Sequence, residues 1–112
     1  MSLLTQPHEV AGAVDRMVAL IVELFQPDEV ILFGSRARGD AEQLSDVDLL
    51  VVLPDDRYQP DIDLEILRRL PRPEVALDLL VIPRSAMDIK SEIWGTVFNA
   101  ARREGQVLYA AH

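Results

Sequence analysis

Apolar positions change their spacing several times along the chain, and each change marks an element. Over residues 7–25, Val10, Val14, Met17, Val18, Ile21, Leu24 and Phe25 recur at three- and four-residue intervals, the period of a helix with one buried face. Pro7 suits a first helical position and Glu9 suits a first turn. Pro27 closes the segment, because the residue before it, Gln26, is pushed away from helical torsions. Val30–Phe33 is a short, largely β-branched run ending at Gly34, which reads as a buried strand. Asp46–Leu53 reads as a second strand closed by Pro54, residues 60–70 as a helix, and Val75–Ile82 as a third strand closed by Pro83. Residues 85–103 predict a last amphipathic helix with Ile89, Ile93, Val97 and Ala100 on one stripe. Trp94 and Phe98, four apart on it, are expected to pack into the core. Gln106–Tyr109 reads as a short final strand.

With a further helix beginning at residues 35–40, helices and strands alternate from end to end. Near-continuous apolar strands between helices indicate a covered sheet. The expected fold is α/β (α+β), a small mixed sheet of three to four strands flanked by helices. The 112 residues suit one domain, 1–112, with no internal repeat or linker.

Composition narrows the function. The chain has no cysteine, which excludes a disulfide scaffold and a thiolate zinc site. His8 and His112 are its two histidines, near opposite ends, so a histidine-rich metal site is not expected. No apolar run reaches the roughly 20 residues of a membrane span, and no basic segment precedes an apolar one at the start. A cytoplasmic protein is expected. The pI of about 4.6 argues against nucleic acid as a partner. The acidity is uneven. Residues 40–65 carry nine acids against the single base Arg57, equal to the whole net charge of −8. Asp55, Asp56, Asp61, Asp63 and Glu65, beyond the Pro54 break, are expected to be solvated. Arg68, Arg69, Arg72, Arg102 and Arg103 are read as surface charge.

Three features interrupt the core pattern. Gly34-Ser35-Arg36-Ala37-Arg38-Gly39 follows the first strand directly. A glycine admits a ligand close to the backbone, and a helix beginning after it aims free N–H groups at an anion. Ser35, Arg36 and Arg38 add a hydroxyl and positive charge, so the turn suits a phosphate; a plain strand-to-helix turn is the alternative. Next, Ser45-Asp46-Val47-Asp48 places two carboxylates at i and i+2 at the start of an apolar strand. Strand geometry puts them on one face, where they repel unless a proton or cation joins them. Such hard oxygen ligands suit Mg²⁺ or Mn²⁺ shared with substrate phosphates. Lastly, Asp78 stands alone inside Val75–Ile82, where an unpartnered acid is costly. If the second and third strands are neighbours, Asp78 joins Asp46 and Asp48. Three carboxylates of this kind can hold two metal ions for an in-line displacement at phosphorus.

Taken together, Gly34-Ser35, Ala37-Arg38-Gly39, Ser45-Asp46-Val47-Asp48-Leu49 and the strand acid Asp78 resemble the pattern of the DNA polymerase beta-like nucleotidyltransferase superfamily. The short length resembles its minimal nucleotidyltransferase branch. The resemblance implies that fold and transfer of AMP from ATP. It also implies two Mg²⁺ ions held by Asp46, Asp48 and Asp78, with Asp78 helping to deprotonate an acceptor hydroxyl. Gly34, Ser35, Arg38 and Ser45 are the implied nucleotide-binding positions. Minimal nucleotidyltransferases are commonly encoded beside a HEPN-domain toxin, and some modify a tyrosine of that toxin. The resemblance therefore implies an antitoxin in a hetero-oligomer with its partner. Two other functions remain open: transfer to a small molecule of aminoglycoside type, whose enzymes usually add a helical acceptor domain, and a non-catalytic antitoxin that acts by binding.

Overall fold

The computed structural model describes residues 7–34, 46–71 and 75–111. The first element, α1 (Pro7–Phe25), begins and ends where the spacing and the two prolines place it. At its end Gln26 takes φ +50° while its N–H still donates to the Val22 carbonyl at 3.0 Å. That left-handed residue turns the chain into Pro27.

Four strands then form one sheet: β1 (Glu29–Phe33), β2 (Val47–Leu53), β3 (Leu77–Pro83) and β4 (Gln106–Ala110), in the order β3-β2-β1-β4. β1 is antiparallel to both β2 and β4, whereas β2 and β3 run parallel. A parallel pair needs a crossover, supplied here by α2 (Ile62–Arg69) after a short 3₁₀ turn at Asp55–Arg57. The sheet is therefore mixed and four-stranded.

The unbroken apolar run of β2 follows from its position. Every β2 residue except Asp48 is buried, because layers cover both faces of this inner strand. Val47, Leu49, Val51 and Leu53 face the first core, with Val14, Ile21, Val30 and Ile66. Leu50 and Val52 face a second, smaller core with Ile31, Ile82, Met87 and Ala101. Helix α1 and α2 thus cover one face. The other is covered by α3 (Arg84–Lys90) and α4 (Val97–Glu104). No helix among the described residues is long and apolar enough to cross a membrane.

The last helix departs from expectation. The single helix expected over 85–103 is two, α3 and α4, separated by turns at 91–96. Gly95 sits at φ +91°, a conformation that glycine adopts without steric cost. Thr96 then caps α4, its Oγ1 accepting the Asn99 N–H at 3.1 Å. The helical stripe consequently faces outward. Ile89, Ile93 and Val97 are exposed, and Trp94 is 76% exposed, while Met87, Ala101 and Phe98 turn inward to the sheet.

The other side of the second core is tied by ions. Glu29, at the start of β1, accepts from both Arg102 Nη1 and Nη2 at 2.9 Å and from Arg84 Nη2 at 2.8 Å. Arg84 also reaches Asp28 at 3.0 Å and Asp88 at 3.2 Å. This network pins the first residue of α3 and the last turn of α4 to the edge of β1.

Candidate active site

Strand pairing decides which acids meet. In the parallel ladder of β2 and β3 the partner of Asp48 is Asp78. In the antiparallel ladder of β1 and β2 the partner of Asp48 is Phe33. Paired residues share a sheet face and sit about 5 Å apart. Phe33, Asp48 and Asp78 therefore form a row across three strands, on the face of the second core. Farther along that face the same strands carry Ile31, Leu50 and Leu80, packed with α3 and α4. The acids thus occupy the end of the sheet where β2 and β3 begin. Asp78 is exposed and Asp48 half-buried; Asp46, one residue before β2, is exposed.

Gly34 joins the first sequence feature to the second. It follows β1 directly at φ +75°, and a Cβ placed on it would stand 3.2 Å from Asp48 Cγ and closer still to Asp48 Oδ2. Only a residue without a side chain lets the turn lie against that carboxylate. The glycine turn and the Asp48 carboxylate are thus neighbours. Ser35, Arg38 and Ser45 lie outside the described residues, as do Arg36, Ala37, Gly39 and the helix expected to begin at 35–40.

Electrostatics at this end are strained. The Asp48 carboxyl is raised above the ordinary aspartate range, first by its partial desolvation and then by the negative charges of Asp78 and Asp46. None of the three acids pairs with a lysine or arginine among the described residues. Both observations fit a divalent cation, since oxygen donors with uncompensated charge are what Mg²⁺ takes. Among the described residues no three acids or histidines are close enough to enclose one ion by themselves. The arrangement is instead a registered pair, Asp48 and Asp78, flanked by Asp46, at the end of the sheet where β2 and β3 begin. Substrate phosphate oxygens would complete such a site.

Two participants escaped the sequence reading. Phe33 was visible only as a core residue, and its place beside Asp48 follows from strand register. Of the clamp formed by Glu29, Arg84 and Arg102, the sequence offers Arg102 alone, as surface charge, and the separations of 55 and 73 residues from Glu29 leave no local signal. A cavity of about 300 Å³ lined by Val10, Ala11, Val14, Asp15, Leu32, Gln106 and Leu108 belongs to the face of the first core, away from the acid row.

Comparison with known proteins is consistent with this geometry. The model of the nucleotidyltransferase domain family matches residues 14–103, which takes in β1, the acid row and α4. Among solved structures, the chain is similar to a Sulfolobus solfataricus protein described as a candidate nucleotidyltransferase. The TM-score is 0.62 at 22% identity, over 88% of this chain and 78% of that one, which shows a shared fold. No curated protein matches the chain.

Proposed function

The chain belongs to the nucleotidyltransferase domain family of the polymerase beta-like superfamily, and on that premise we propose that it transfers AMP from ATP to a protein hydroxyl with the help of Mg²⁺. The observation that carries this reading is the row in which Asp48 is flanked by Asp78 and abutted by Gly34. Asp48 and Asp78, with Asp46 beside them and substrate phosphate oxygens completing the set, would hold the metal, which would supply charge neutralisation at the phosphates and a template for in-line attack. The Gly34 turn would bring backbone close to the triphosphate, with Ser35, Arg38 and Ser45 as further nucleotide contacts. The acceptor oxygen attacks the α-phosphorus, the bond to the β-phosphate oxygen breaks, and pyrophosphate leaves. The hydroxyl proton passes to a carboxylate, a role assigned to Asp78 because it is exposed beside Asp48 rather than covered by it.

The acceptor assigned is a tyrosine of a HEPN-domain toxin, and the chain is assigned as its cytoplasmic antitoxin, on the motif resemblance. Asp78 is exposed, which suits an acceptor presented by another macromolecule. The test is incubation of the purified protein with labelled ATP, Mg²⁺ and the product of the adjacent gene. Label on a tyrosine of that product, lost in the Asp46→Asn with Asp48→Asn variant, supports the reading. Neutralisation of the partner by that same variant, without label, would establish binding alone as the function. Label on an aminoglycoside in place of the protein would establish a small-molecule enzyme.

A further inference from the structure

The outward side of the α3–α4 hairpin is unusually apolar for a solvent face. Ile89, Ile93, Trp94 and Val97 fall within nine residues and are 67%, 49%, 76% and 39% exposed. Scattered exposed apolar residues need no explanation, but a contiguous group marks an interface. Trp94 is also held in place. The Arg103 guanidinium lies 4.2 Å from its ring centroid, Arg103 Nε donates to Asn99 Oδ1 at 2.8 Å, and Asn99 Nδ2 donates to the Ser91 carbonyl at 2.8 Å. An exposed indole already ordered in this way loses little freedom when a partner covers it, which is the character of an interface hot spot.

Charge selects the partner. The chain carries −8 overall, so two copies repel across most of their surfaces. Around the apolar group of the hairpin the charge is mixed, with Lys90 and Arg103 against Asp88, Glu92 and Glu104, while Arg84 and Arg102 are already paired with Asp28 and Glu29. This patch is close to neutral and carries both signs around the apolar centre. A strongly charged partner would be matched by a patch of one sign, whereas an interspersed patch is complementary to itself about a twofold axis. We propose that a second copy of this chain covers the hairpin, forming an isologous dimer centred on Trp94. Four apolar side chains make a small interface, so the dimer is a weak one, with a dissociation constant on the order of 10 µM. The inference rests on the hairpin and is independent of the reaction assigned to the acid row.

The experiment is sedimentation equilibrium on the full chain from about 1 to about 500 µM, paired with the fluorescence of Trp94, the sole tryptophan. The expected result is a mass that doubles over the same concentration range in which the emission moves to shorter wavelength. Ile93→Asp should raise the midpoint at least tenfold with an unchanged circular dichroism spectrum. Lys90→Glu, at an exposed position, should do the same by making the patch acidic, and it carries the test if Ile93→Asp misfolds. A monomer at every concentration with solvent-exposed emission overturns the proposal. So does a dimer whose midpoint ignores both substitutions, and so does a Trp94 shift that requires a different protein.

Discussion

Asp48 and Asp78 are direct partners across the parallel strands β2 and β3, and neither is neutralised by a lysine or arginine among the described residues. Two carboxylates in register on one face are a cost to the fold that a cation removes.

That cost has a sign. The carboxyl of Asp48 is raised in the folded state, so above the ordinary aspartate range the folded protein holds more proton than the unfolded chain. Its stability therefore declines as pH rises through that window. Asp48→Asn should raise the melting temperature of the metal-free protein at neutral pH by about 1–3 °C, a small gain because the carboxyl is only partly desolvated. Mg²⁺ should raise the melting temperature of the parent protein and leave the variant unmoved. Transfer by the variant should fall by about 10³-fold or more, the loss expected when a metal-held charge is removed from the transition state. Thermal melts with and without Mg²⁺, together with labelled-ATP assays, check all three outcomes.

Gly34→Ala should damage both fold and reaction. The added methyl meets Asp48 at a backbone position of φ +75°, where alanine is strained. A destabilisation of about 1–3 kcal/mol is expected from urea unfolding. Part of it is steric, so the penalty should shrink in an Asp48→Ala background, where the obstructing carboxylate is gone. A double-mutant cycle measures that coupling. Strict additivity would show that Gly34 and Asp48 do not press on each other.

Much of this site was legible in the sequence, for local reasons. Pro7 and Pro27 bound α1, and Gln26 leaves helical torsions where a residue before proline must. The Asp46-Val47-Asp48 spacing places two acids on one face whatever the pairing. The position of Asp78 opposite Asp48 needed a parallel neighbour, and an apolar run carries no information on which strand lies beside it. The last helix was misread because the stripe through Ile89, Ile93 and Val97 keeps helical spacing across a turn. Periodicity reports spacing and does not say which side is covered. Gly95 and Thr96, a left-handed glycine and a capping threonine, were the local signals against one continuous helix. The clamp of Glu29 on Arg84 and Arg102 joins three distant segments, and only the folded chain creates it.

That clamp predicts acid sensitivity. The Glu29 carboxyl is lowered to about 2, chiefly by its hydrogen bonds to Arg102 and Arg84 against the opposing effect of burial. A carboxyl held below its unfolded value near 4.5 contributes stability that is fully present above that value. The contribution is lost as pH falls from about 5 towards 2. With allowance for solvent screening of the partly exposed arginines, it amounts to about 2 kcal/mol at neutral pH. Glu29→Gln should be less stable by that amount at pH 7 and should lose the acid-dependent part of the unfolding curve. Urea midpoints measured across pH 2–7 test it, and parallel pH profiles for the two proteins would show that the clamp contributes nothing.

Thr96 is the capping residue of α4 and also the closure of the turn that presents Trp94. Its Oγ1 accepts from the Asn99 N–H at 3.1 Å and lies 3.0 Å from the Lys90 carbonyl and 2.9 Å from the Ile93 carbonyl. Thr96→Ala removes these bonds together and should cost about 1 kcal/mol, whereas Thr96→Ser keeps the oxygen and should cost much less. The loss should be local, because Ala101 and Phe98 still pack on the sheet. Amide exchange should therefore accelerate over residues 91–100 and stay unchanged in β2. Trp94 should lose its fixed seat under Arg103, which steady-state fluorescence anisotropy would register as a fall at the same molecular mass. An alanine variant with unaltered exchange and anisotropy would mean that Gly95 and the packing of Phe98 set the turn without the cap.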